Sequence, residues 1–116
     1  MYLTDKQEEE LRTEFKKHLE STRPNLSEST VSSYVNWAFY THKYVSTAVF
    51  LEALNSEHGM EEARKQILAL ADSGGVKKGG VQETSKYTSD YMHPLAMLKE
   101  FVNLKYGSIG NYLERK

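Results

Sequence analysis

The 116 residues include no cysteine. That excludes a disulfide framework, a thiolate metal site and a cysteine nucleophile, and it is compatible with a reducing compartment. Proline occurs only twice, and no apolar run approaches the roughly 20 residues that cross a bilayer. The opening MYLTDKQEEEL is acidic where a secretory leader is basic and then apolar, so a cytoplasmic location without a membrane partner is expected. An excess of either charge is also missing, since 15 Lys and Arg oppose 16 Asp and Glu for a net charge of −1. A uniformly basic nucleic-acid binder is thereby excluded. What remains, 39% hydrophobic and 27% charged residues, fits a single helical domain over residues 1–116, long enough to bury a core without metals or disulfides.

The hydrophobic pattern predicts an all-α, compact bundle of four to five helices. A first amphipathic helix runs from about Thr4 to Ser21, with Thr4 and Gln7 at capping-box spacing and Leu11, Phe15 and Leu19 forming a buried stripe. Pro24 ends it. Ser27 caps the second helix, Leu26 and Val31 have hydrophobic-staple spacing, and Val31, Tyr34, Val35, Ala38, Phe39 and His42 share one face. Tyr44-Val45 is β-prone but too short for a convincing strand. Shorter helices are expected over about Thr47–Asn55 and Met60–Asp72, the latter closed by Gly74-Gly75. Residues 73–89, with four glycines and three lysines, read as a long flexible loop, functional or disordered. A last long helix follows from about Tyr91 to Tyr106, with Pro94 tolerable only near its start. Gly107 is a natural stop, and a final turn places Ile109, Tyr112 and Leu113 on the body.

No catalytic constellation emerges. The four histidines, His18, His42, His58 and His93, lack metal-ligand spacing, and His18 and His42 lie near apolar stripes where a packed histidine bonded to a backbone carbonyl is the ordinary case. Gly75 and Gly80 have the glycine separation of a phosphate-binding loop, but Val81-Gln82 stands where Lys-Ser/Thr is required. Lys77, Lys78 and Lys86 can nonetheless meet phosphates as point charges. Glu8, Glu9, Glu10 and Glu14 point in different directions around a helix and complement its dipole. No enzyme activity, cofactor or metal is expected.

Charge is uneven along the chain: residues 1–30 and 31–73 each sum to −2, residues 74–116 to +3. Binding follows the local field, so a positive C-terminal third leaves room for a one-faced contact. Thirteen aromatic residues, eight of them Tyr, add a second signal. Trp37 and Tyr40 lie off the buried stripe; with Tyr87 and Tyr91 they supply either a further helix contact or an exposed surface for a protein partner or a second copy.

The stretch from Phe15 to Lys43 carries the pattern F-x-x-x-L, a short turn, then Leu-Ser-x-x-Thr-Val-x-x-Tyr, in Phe15, Leu19, Leu26, Ser27, Thr30, Val31 and Tyr34. It resembles the N-terminal SAM-like core-binding domain of tyrosine recombinases and phage integrases, over about a quarter of the chain. The resemblance implies one half of a clamp around duplex DNA. Its polar positions here are Ser27, Ser29, Thr30, Ser33 and Asn36, with Lys43 at the far end and Lys16 and Lys17 flanking. The second helix is poor in Arg and Lys, and the recombinase catalytic domain has no counterpart in this sequence. The implied role is therefore a non-enzymatic accessory module of a phage or mobile element that positions DNA for a catalytic domain or partner outside this sequence. The alternative is a helical protein–protein or self-association module.

Overall fold

The computed structural model describes residues 2–72 and 84–114, with the backbone alone for residues 71, 72 and 84–89. Seven helices and no strand occur among the described residues: α1 (Asp5–Thr22), α2 (Glu28–Ala38), α3 (Tyr40–Tyr44), α4 (Thr47–Asn55), α5 (Glu57–Asp72), α6 (Thr84–Tyr106) and α7 (Ile109–Glu114). The expected four to five helices correspond to α1, α2, α4, α5 and α6, and α7 is the expected final turn.

Local chemistry sets the helix starts. The Thr4 hydroxyl accepts from the Gln7 N–H at 3.1 Å while the Gln7 side chain accepts from the Thr4 N–H at 2.9 Å, so each residue's side chain satisfies the other's otherwise unpaired backbone donor. Ser27 accepts from the Thr30 N–H at 3.2 Å and Ser46 from Val49 at 3.1 Å. Gly107, at φ +85°, closes α6, a conformation costly for any residue with a Cβ.

Three boundaries depart from expectation. The second helix does not continue to His42: it breaks at Phe39, whose N–H bonds back to the Asn36 carbonyl at 3.3 Å. The turn sends the fully buried Phe39 ring toward Phe50, with centroids 5.2 Å apart. α5 begins at Glu57 rather than Met60, because the Ser56 hydroxyl accepts from the Gly59 N–H at 2.9 Å and caps an earlier turn. α6 begins at Thr84, inside the stretch read as loop, so Pro94 falls in the helix interior, where it withholds the N–H that the Asp90 carbonyl would accept. Residues 73–83, with Lys77 and Lys78, lie outside the described residues.

α1 and α2 form a hairpin, α2 also lies along α6, α4 packs mainly on α5, and α7 folds against α6 and α4. Leu11, Phe15 and Leu19 are fully buried, as the stripe predicts, and meet Val31, Val35, Phe50, Leu54, Leu98 and Val102 in one core. Each such side chain contributes roughly 1.5–3 kcal/mol by leaving water. α1 and α7 are stitched together: the Tyr112 hydroxyl donates to the Gln7 carbonyl at 2.6 Å, and the Gln7 side chain donates to the Leu113 carbonyl at 3.1 Å. A smaller cluster of Ile67 and Tyr91, with Trp37, Tyr40, Val45, Leu70 and Met92, joins α2 and α3 to α5 and α6. No described helix is long and apolar enough to cross a membrane.

Candidate functional site

Breaking the second helix at Phe39 has a consequence for the surface. α3 turns Tyr40, Lys43 and Tyr44 toward the outer side of α2, and together with Arg12 of α1 and Tyr91 of α6 they line a cleft of about 380 Å³ whose remaining walls are Asn36 and Trp37. The floor is aromatic. Tyr40 and Tyr91 stack in parallel at 3.9 Å and 8°, Tyr44 leans on Tyr40 at 4.7 Å, and Trp37 meets Tyr91 edge-on at 6.3 Å. Burial, with the neighbouring Tyr91 and Tyr44 phenols, pushes the Tyr40 hydroxyl up to about 12, so it stays a neutral donor at physiological pH. The described lining holds Arg12 and Lys43 and no carboxylate, and since Arg12 is paired with Glu8 behind the wall, Lys43 is the cation left to meet a ligand.

Arg12 is held in place. Its Nε donates to Glu8 at 2.8 Å, one Nη donates to the Asn36 carbonyl at 3.2 Å, and the guanidinium lies 4.5 Å from the Phe39 ring centroid. Behind it, His42 Nε2 faces Glu8 Oε1 at 2.9 Å and His42 Nδ1 faces the Thr47 hydroxyl at 2.9 Å. An ionised carboxylate only accepts, so Nε2 carries a proton, and in the neutral ring Nδ1 accepts from Thr47. Burial of Glu8 works against its charge, but hydrogen bonds from Arg12 and His42 outweigh it and hold the carboxyl below the usual range. The cleft wall is thus braced by a relay across α1, α3 and α4. Lys43 differs from Arg12: it has no carboxylate partner among the described residues and lies 5.3 Å from the Tyr44 ring.

The residues singled out from sequence fall into separate places. Asn36 and Lys43, expected at a DNA contact, and Trp37, Tyr40 and Tyr91, expected at a partner surface, converge on the one cleft. Tyr91 is only 6% exposed, so it supports the floor. Lys16 stands one turn beyond Arg12 on the same side of α1, half-buried and without a carboxylate partner among the described residues. Lys17 lines a different depression with Lys6, Glu9, Glu10 and Glu14. Ser27 is committed to its cap and also bonds Thr30 Oγ1 at 2.9 Å and Ser29 Oγ at 3.2 Å. Ser33 is half-buried one turn before Asn36. Lys86 and Tyr87 belong to the first part of α6, whose side chains lie outside the described residues.

Sequence reasoning missed Arg12, Glu8, Tyr44 and Thr47 as parts of one arrangement. It placed His42 in the ordinary packed role with a backbone partner, whereas its ring joins two side chains. No three metal-ligating side chains come together among the described residues. No family model, curated protein or solved structure matches the chain.

Proposed function

We propose that this chain is a non-enzymatic DNA-binding accessory module, resembling the SAM-like core-binding domain of tyrosine recombinases, that positions DNA for a catalytic domain or partner outside this sequence. The observation that carries the reading is the cleft: a lysine with no carboxylate partner, a fixed arginine and an amide stand beside exposed aromatic surface, with no acid in the described lining. Such a lining attracts phosphate even though the whole chain is nearly neutral, because the local field decides encounter. Lys43 and Lys16 supply point charges, Asn36 supplies a side-chain NH2, and the α1–α2 hairpin carries the motif residues that resemble the recombinase module. Fluorescence anisotropy of a labelled random duplex and of a labelled single strand at low salt tests it. Binding of DNA at tens of micromolar or tighter is expected, weakened by Lys43→Ala; no binding of either at that concentration contradicts the reading.

A second reading, a protein–protein or self-association module, draws on another observation. Leu104 of α6 is 78% exposed beside a groove lined by Leu19, Met97 and Phe101, and burying such a side chain is worth roughly 1.5–3 kcal/mol. Sedimentation velocity separates the two: self-association abolished by Leu104→Lys favours this reading, and a monomer at all concentrations counts against self-association.

A further inference from the structure

We infer that the cleft receives an unpaired nucleobase together with its phosphate, so that the module prefers single-stranded or locally opened DNA to intact duplex. The inference rests on the DNA reading above and specifies its ligand. Bases in a duplex are stacked on one another, and their faces do not reach a protein ring; an unpaired base offers a face that any aromatic side chain can stack on. Tyr44 provides such a face at the cleft edge, since 54% of it is exposed. It leans on Tyr40, which is itself stacked on the buried Tyr91, so an added ring would extend a column already ordered by the fold.

Polar groups around that column match the rest of a nucleotide. The Asn36 side-chain carbonyl accepts from Arg12, which fixes the amide orientation and leaves its NH2 to donate to a base edge. Lys43 lies past the helix break at Phe39 and holds its ammonium 5.3 Å over the Tyr44 ring; a base stacking there displaces this flexible side chain outward, to meet the phosphate that the base carries. A volume of about 380 Å³ lies at the small end of the range for small-ligand sites, roughly 300–1,000 Å³. One nucleotide unit suits it. A partner's Tyr or Trp would bring a ring without negative charge and its Asp or Glu a charge without a ring, whereas a nucleotide brings both to Tyr44 and Lys43.

Trp37 is the only tryptophan and lines the cleft, so its emission reports on this site alone. The full chain is titrated with oligothymidylate, with a mixed-sequence duplex and with inorganic polyphosphate. Expected are quenching of Trp37 by oligothymidylate at an affinity at least about tenfold above that for duplex, unchanged emission with polyphosphate, and a roughly tenfold or greater loss of single-strand affinity in Tyr44→Ala. Tyr44→Phe keeps the ring and is expected to retain binding, which guards against a folding artefact. Duplex bound as tightly as the single strand overturns the inference while leaving the DNA reading intact, and polyphosphate acting like oligothymidylate overturns it as mere anion binding. Absence of binding to either DNA overturns both.

Discussion

At Glu8 one carboxylate joins three elements: it accepts from Arg12 within α1 and meets His42 of α3, which in turn bonds Thr47 at the start of α4. The charged form is the bonded one, so hydrogen bonds from Arg12 and His42 outweigh burial and hold its folded carboxyl below the usual glutamate value. A depressed carboxyl contributes stability that is fully present above the unfolded value and is lost as pH falls through the folded one. Glu8→Gln is therefore expected to be less stable than the parent at neutral pH and to lose less on acidification toward pH ~3. Thermal unfolding followed by circular dichroism across that range checks it; parallel pH curves would show that the relay carries no linked charge. Little of this was legible in the sequence. Glu8 reads as a dipole complement and His42 as a stripe residue, and contacts across 34 positions of chain leave no local spacing to find.

Helix boundaries show which instructions are local. Thr4 with Gln7, Ser27 and Gly107 act through neighbours three or four residues away, and their effect can be read directly. The break at Phe39 is different: helical periodicity runs through it unchanged, and the ring it buries packs on Phe50 of α4, a contact that no local spacing encodes. The packing of α4 on α5 hides a similar long-range requirement at Gly59. A Cβ there would stand 2.0 Å from the Glu52 carbonyl oxygen and 2.9 Å from the Ala53 nitrogen, and backbone atoms cannot swing aside. Gly59→Ala is expected to destabilise by at least about 2 kcal/mol, as overpacking does. Gly110→Ala meets only the Ser108 hydroxyl at 3.7 Å and is expected to be neutral or to gain up to ~1 kcal/mol from helix propensity. Urea unfolding of both proteins measures the contrast, and equal stabilities would refute the close approach of α4 to α5.

For the whole molecule, a net charge of −1 excludes a broadly basic surface, and the fold shows how charge is sorted within that balance. Lys17 sits among glutamates, Lys99 and Lys105 are paired with Glu57 and Glu14, and Lys43 stands without a carboxylate partner among the described residues, beside the aromatic cleft. The all-α class and the buried stripes were legible because periodicity encodes them. The cleft was not, because it forms only where α1, α2, α3 and α6 meet. Whether the cleft holds DNA is tested most directly by the salt dependence of DNA affinity in the parent and in Lys43→Ala. Each phosphate neutralised on duplex DNA contributes a slope of about −0.9 in log affinity against log salt, and about −0.7 on single strands. Loss of Lys43 is predicted to make the slope shallower by that amount and to weaken binding at low salt. An unchanged slope, or affinity indifferent to Lys43, would place any DNA contact elsewhere and contradict the assignment of the cleft.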